Sequence, residues 1–407
     1  MRNPQDADLA GRRVIFVLAG EVLGGAERNA LLVATHLAHV EGAMVEICAL
    51  DDREGRARVI AEAERIPWSC VRTPWVGSRM SKALSLVRLT VALRRLRPDV
   101  LLPYTNLPNV VCGLVWRLSG ARLCVWNQCD VLGTTRVSPA MFRRALRMTP
   151  VAVTTAFHAR DWLEEHWDAD PRHVYVIRSQ VRLPPSRESR AVWRDRLGID
   201  ERDVVACMLA HFHHGKDHPT LLCAWRLVVD ALRPDAQQAV LLLAGRPAGT
   251  YDAAKALAFD LDLQNHVRFL GDVEDVSGLL GAVDLAVFSS PSEALGRGAT
   301  EPMYAGLPFV GTDIPGTREA VGDSGLPFLA APGDADGLAE AIVRFARDPD
   351  LRARVGQANA ELIRLRQSAE ATSEVYAKLV GDGLAGRLPV AISEDGGLPT
   401  TKPSPLI

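Results

Sequence analysis

Arg182-Leu-Pro-Pro-Ser-Arg-Glu-Ser-Arg-Ala-Val-Trp-Arg-Asp-Arg196 interrupts an otherwise regular alternation. Its paired prolines and dense charge suit neither a buried strand nor an apolar helix face, so it reads as a linker followed by a polar helix. Upstream, short apolar runs at 14–19, 44–50, 99–103, 123–127, 151–154 and 174–177 read as strands, with helical stretches such as 26–39, 84–96 and 157–167 between them. Downstream the pattern restarts, with strands expected at 204–209, 239–244, 267–270, 285–289 and 308–311. Runs this rich in Val, Ile and Leu are buried on both faces, as in parallel sheets flanked by helices. Two such series joined by one linker predict two Rossmann-like α/β domains, and 407 residues are enough for two cores. Ligands in these sheets bind at the carboxyl ends of the strands, which ranks the motifs that follow.

The bulk composition is that of a packed globular protein, with 48% apolar and 24% charged residues. A net charge of −2 and a pI near 6.6 offer no general attraction for nucleic acid. The balance is uneven: residues 1–150 hold 21 Lys+Arg against 13 Asp+Glu, a surplus of 8, and the remainder carries a net −10. A basic N-terminal half suits an anionic acceptor or peripheral contact with an anionic membrane, although scattered surface arginine is the simpler explanation. The seven cysteines lie mostly in apolar runs and form no C-x-x-C pair, so buried thiols are expected rather than disulfides or zinc ligands. No apolar run reaches the roughly 18–20 residues that span a bilayer, and the N-terminus lacks the pattern of a signal peptide. A cytoplasmic protein, at most peripheral at the inner membrane face, is the expectation.

Three motifs stand at strand ends. Gly20-Glu-Val-Leu-Gly24-Gly25-Ala-Glu27 follows the first strand, where glycines let backbone amides approach a ligand at a helix's positive end. It lacks the spacing of a dinucleotide fingerprint. Ala210-His211-Phe-His-His-Gly-Lys216-Asp-His218 follows the first strand of the second series. Its histidines lack the helical pairing and acidic partners of a zinc site, whereas Lys216 and imidazole N–H groups suit a diphosphate. The third, Ser289-Ser-Pro-Ser-Glu293-Ala294-Leu295-Gly296-Arg-Gly-Ala-Thr-Glu301, is the sharpest. A strand leads into a glycine loop and then a helix expected from about Thr300. Amides near Leu295 and Gly296 would face an anion, and two carboxylates bracket the loop. Carboxylates beside a phosphate site are wasteful unless they accept from hydroxyls, of which sugars and ribose are made. Helix capping or general acid/base hydrolysis would also use such a pair, so spacing alone does not choose.

With its neighbours the third motif resembles family 4 of the retaining glycosyltransferases. The Glu293–Glu301 pair, the run Leu241-Leu-Leu-Ala-Gly245, the segments Val267–Val276 and Ala282–Ser290, and Gly311-Thr-Asp-Ile-Pro-Gly316-Thr-Arg-Glu319 follow the family's order and spacing across roughly residues 200–365. Gly24-Gly25-Ala-Glu27 is a family variant in the first domain. The resemblance implies a GT-B fold, two Rossmann-like β/α/β domains facing a central cleft. It implies a hexosyl-type transfer from a nucleotide-diphosphate-sugar to an acceptor hydroxyl, in polysaccharide or glycoconjugate synthesis, with no metal or other cofactor. Glu293 would face the donor sugar and Glu301 the ribose. Lys216 would hold the diphosphate, and His211, Gly245, Ala294, Leu295 and Gly296 would complete the donor site.

The chain departs from the family in several places. Ala210-His211 stands for Gly-Arg, Ala294 for a glycine, and Ser179-Gln180 for Asn-Gly. Trp126-Asn-Gln128-Cys-Asp130 stands where many members carry a histidine, so Gln128 or Asp130 is expected at the donor sugar. These changes keep two other classes open, a non-catalytic sugar-nucleotide-binding scaffold and a nucleotide-sugar epimerase. The expected boundaries are 1–181 for an acceptor-side domain, 182–199 for the linker and 200–366 for the donor-side domain. A helix at 367–380 would pack back on the first domain, followed by a disordered tail at 381–407. Asp260-Leu261-Asp262 mimics a metal D-x-D but reads as helix-end charge. Residues 79–97, whose charges spread around a helical wheel, read as an ordinary domain helix and not a membrane-surface one.

Overall fold

The structure, a computed structural model, describes residues 9–52, 55–131, 137–235 and 238–388. The chain forms two compact units, one built from residues up to Gln180 together with those from Ala369 onward, the other from Val181–Ser368.

In unit 1 the strands are β1 (Arg13–Leu18), β2 (Met44–Ala49), β3 (Trp68–Cys70), β4 (Val100–Pro103), β5 (Leu123–Gln128), β6 (Val151–Thr154) and β7 (Val174–Val176). They pair in parallel in the order β3-β2-β1-β4-β5-β6-β7. Helices α1 (Gly25–His39), α2 (Arg56–Ala63), α3 (Arg79–Leu96), α4 (Asn106–Ser119), α5 (Pro139–Met148) and α6 (Phe157–Trp167) connect them. The sequence determines where several of these helices begin: Ser78 and Ser138 accept the amides of Ser81 and Met141 at the starts of α3 and α5.

Unit 2 repeats the plan. Its strands β8 (Val204–Leu209), β9 (Ala239–Ala244), β10 (Val267–Gly271), β11 (Leu285–Phe288), β12 (Phe309–Thr312) and β13 (Leu329–Ala330) pair in parallel in the order β10-β9-β8-β11-β12-β13. Its helices are α7 (Arg190–Leu197), α8 (His218–Leu232), α9 (Tyr251–Asp260), α10 (Val276–Ala282), α11 (Arg297–Tyr304), α12 (Pro315–Gly325), α13 (Ala335–Arg347) and α14 (Pro349–Gln367). Each sheet is covered by apolar clusters on both faces, as its near-continuous Val/Ile/Leu strands require. In each the strand order reverses between the first and fourth strands, β1/β4 and β8/β11, which opens a crevice at their carboxyl ends.

Three features refine these expectations. The stretch from Val181 groups with unit 2, and the polar helix expected after the paired prolines is α7. Trp193 and Arg194 of α7 are buried, and the Arg194 guanidinium donates to the carbonyls of Ala282 and Asp200 and pairs with Asp284 at 2.9 Å. A guanidinium has enough donors to satisfy this pocket, so a charged residue becomes core. Secondly, residues 381–384 are ordered helix. The last helix, α15 (Ala369–Leu384), buries Tyr376, Leu379 and Val380 in unit 1, and the Tyr376 hydroxyl donates to Asn127 Oδ1 at 2.7 Å. The remainder of the expected tail, from residue 389, lies outside the described residues. Thirdly, all seven cysteines are free, but Cys70 and Cys223 are exposed instead of buried. Asp260 does end α9, with Asp262 in the turn beyond it. Among the described residues no helix is long and apolar enough to cross a membrane.

Candidate active site

At the β8/β11 crevice of unit 2 the second and third motifs meet. Lys216, in the one-turn helix after β8, forms an ion pair with Glu293, in the loop after β11. Both side chains keep under a fifth of their surface exposed, 19% and 16%, so they are reachable but poorly solvated. The Lys216 ammonium also sits 5.0 Å from the centre of the Phe288 ring, an apolar floor that the cation favours. The Ser290 hydroxyl lies 2.8 Å from Glu293 Oε1 and 2.6 Å from the Gly215 carbonyl, tying the two loops together. Ser289 reinforces this by donating to the Asp217 carbonyl at 2.8 Å.

The loop is held by close backbone approaches. A Cβ at Gly316, at the start of α12, would lie 2.2 Å from the Ala294 carbonyl oxygen, so only glycine lets α12 support this loop. A Cβ at Gly245 would lie 1.9 Å from the Ala210 carbonyl, which accounts for the glycine after β9. Gly296 caps α11, which starts at Arg297 and not near Thr300 as expected. The positive end of α11 therefore lies at this loop, directly after Leu295 and Gly296. Glu301 lies one turn on and pairs with Arg297 at 2.7 Å, both side chains largely enclosed.

The histidines separate into different roles. His218 is buried and stacks on Phe212, with ring centres 4.2 Å apart, and burial pushes its pKa down to about 4. His213 caps its own turn by accepting from the Gly215 amide. His211 accepts the Arg246 amide at Nδ1, 3.1 Å away, and its pKa is lowered by burial first and then by the nearby Arg246 charge. With Nδ1 accepting, the neutral ring carries its proton on Nε2 and offers it as a donor. Among the described residues no group of His, Cys, Asp and Glu side chains is arranged to hold a metal ion.

The remaining expected residues lie in unit 1. Gln128 is fully buried: Nε2 donates to Asn106 Oδ1 and the Asp130 carbonyl, and Oε1 accepts from the Trp126 indole at 2.9 Å. Its amide is committed to shaping the turn after β5. Asp130, half-buried, receives the Asn106 amide at 3.3 Å and is the more accessible of the two. The Gly24–Gly25 turn is occupied from within. Glu27, a largely buried carboxylate with a raised pKa, accepts the Gly24 amide at 3.0 Å and sits at the positive end of α1. Two residues at the unit 2 crevice escaped sequence reasoning, Arg246 and Arg297. Each directly follows a glycine at a strand end or helix start, and that position was the signal available.

Residues 189–362 match the family described as glycosyl transferases group 1. The match lies within unit 2 and takes in most of it. A D-inositol 3-phosphate glycosyltransferase of Streptomyces scabiei is 30% identical over 264 residues, covering 62% of this chain and 57% of that protein. The lipopolysaccharide core biosynthesis glycosyltransferase LpsE of Rhizobium meliloti is 34% identical over 129 residues, 32% of this chain and 38% of that protein. The chain spans about half the length of the curated relatives it matches. Among solved structures, Anabaena HepE in complex with UDP superimposes with a TM-score of 0.77 at 19% identity, covering 91% of this chain and all of that one. The matched residues thus include the Lys216–Glu293 and Arg297–Glu301 pairs, and the fold of both units is the one seen in HepE.

Proposed function

We propose that the chain is a retaining glycosyltransferase that moves a sugar from a nucleotide-diphosphate-sugar to an acceptor hydroxyl without a metal ion. The observation that carries this reading is the pair of ion pairs at the carboxyl ends of β8 and β11, Lys216–Glu293 and Arg297–Glu301. Without a donor, each carboxylate is held by a cation. A donor offers both halves better partners: its diphosphate takes Lys216, the α11 amides and the Nε2–H of His211, and its hydroxyls take the carboxylates. Glu293 then accepts from the sugar and Glu301 from the ribose. In the reaction the bond from the anomeric carbon to the phosphate oxygen breaks and the acceptor oxygen bonds to that carbon. The acceptor proton leaves with the phosphate oxygen. Charge develops on the departing diphosphate, where Lys216 and the α11 amides already point, so stabilisation comes from fixed dipoles and charge. With Arg246 beside His211, permanent positive charge is present where the family's arginine is absent.

HepE, solved with UDP and with UDP-glucose, makes uridine-diphosphate sugars the first donors to test. A bound donor raises apparent stability, so a thermal-shift screen identifies it. The protein should then release free sugar slowly from that donor, at a rate unchanged by EDTA. Conversion to a different nucleotide-sugar would establish an epimerase instead, and binding without any turnover would establish a scaffold. A strict requirement for a divalent metal would remove the proposed role of Lys216 and the α11 amides as the sole counter-charges.

A further inference from the structure

Helix α3 turns Ser85, Leu89 and Leu93 inward, where they are buried. Its outer face is apolar as well. Met80, Leu84, Val87 and Val91 are 79%, 50%, 58% and 45% exposed and follow one another at helical spacing, and Val76 at the entry is 71% exposed. At about 100° per residue these four side chains occupy a strip roughly 60° wide, with Arg79 and Arg94 along one border and Arg88 and Arg95 along the other. All four arginines are exposed, and none forms an ion pair among the described residues. Between Glu64 and Asp99 the chain carries eight Arg and Lys residues and no Asp or Glu. The basic surplus of the N-terminal half is therefore concentrated here.

An apolar strip bordered on both sides by cations matches one kind of partner closely. Nucleic acid would use the arginines but gains nothing from Met80, Leu84, Val87 and Val91. A peptide partner is best served by a groove, whereas the outer side of a helix is convex. The interface of an anionic bilayer accepts both parts: apolar side chains enter the acyl boundary, and arginines reach sideways to the phosphates. We propose that α3 is a membrane-docking element that seats unit 1 on bilayers containing anionic lipid, with its outer strip embedded in the interface. This assignment is independent of the donor site.

The test is flotation of the full chain with vesicles of phosphatidylcholine alone or with about a third phosphatidylglycerol, at low and high salt. The wild type should float with the anionic vesicles, less so at high salt, and remain behind with the neutral ones. Leu84→Ser with Val87→Ser, and separately Arg88→Glu with Arg95→Glu, should each lower the partition coefficient by at least about tenfold. These exposed positions leave the fold intact, checked by unchanged thermal melts and unchanged nucleotide binding. The assignment is overturned if the wild type does not float with anionic vesicles, or if the variants float as well as it does. It is equally overturned if the chain self-associates without lipid and Leu84→Ser with Val87→Ser abolishes that association, because the strip would then be covered by a second copy.

Discussion

If Glu293 occupies Lys216 until a donor arrives, removing its charge should make a bare nucleoside diphosphate bind more tightly. Glu293→Gln keeps the side-chain shape and the contact with Ser290, but it no longer competes with phosphate for the ammonium. Exposed ion pairs contribute between zero and about 1 kcal/mol. Here both partners are more than four-fifths covered and the ammonium rests on the Phe288 ring, so the upper end, about 1 kcal/mol, applies. That corresponds to roughly fivefold tighter binding. Lys216→Met removes the cation itself, and losing a charged hydrogen bond of about 1.5–3 kcal/mol weakens binding roughly 10- to 150-fold. The two variants should therefore move affinity in opposite directions, while both lose sugar transfer. Isothermal titration with the nucleoside diphosphate that gives the largest thermal shift reads both effects at one fixed, low ionic strength, since salt screens them together. The partner-exchange scheme is refuted if Glu293→Gln binds no more tightly than the wild type while melting normally, or if Lys216→Met stays within about twofold of it.

Three further outcomes follow from the packing. Tyr376→Phe strands a buried Asn127 Oδ1 whose hydroxyl partner was 2.7 Å away, and should cost unit 1 about 1–3 kcal/mol, read by chemical denaturation and by faster amide exchange in α15. Gly316→Ala places a methyl 2.2 Å from the Ala294 carbonyl, so the Glu293 loop must move; nucleotide affinity should fall with a stability loss of about 1–3 kcal/mol, and an unchanged affinity would show that α12 does not support the loop. His218 has a folded pKa of about 4, below its unfolded value near 6.5, so between those limits the unfolded chain binds the extra proton and stability falls as pH falls. His218→Phe, which keeps the stack on Phe212, should flatten denaturation midpoints across that window; an unaltered acid slope would move the acid sensitivity elsewhere.

What could be read in advance was set by short-range physics. Strands buried on both faces announce themselves as runs of Val, Ile and Leu, and β8, β9 and β6 fall at their expected residues. Strands β3 and β13 did not, since three and two residues at a sheet edge carry too little pattern. The site loops were visible because the chemistry of the fold places ligands at strand ends, and glycines there mark close backbone approach. The partners within the site were hidden. Lys216 and Glu293 are 77 residues apart, and nothing local in either loop says that they meet. Gln128 looked available because its enclosing partner, Asn106, comes from the start of a different helix, 22 residues earlier.

Helix α3 shows most clearly how the two kinds of information differ. A helical wheel supplies the angles between side chains, and on it five cations and a majority of apolar residues do spread around the circumference. Two apolar strips emerge, one through Leu89 and Leu93 and the other through Leu84 and Val87. With no knowledge of what lies behind the helix, each is equally suited to the core, and the arginines flanking the Leu84 strip pass for scatter. Once the Leu89 strip is spent against unit 1, the other stays exposed among the described residues, and four arginines become its border instead of a random ring. The tertiary contact on one side of the helix changes the meaning of the residues on the other. On the proposed reading the Leu84 strip meets its partner outside the chain, and the arginines along its border face that same partner.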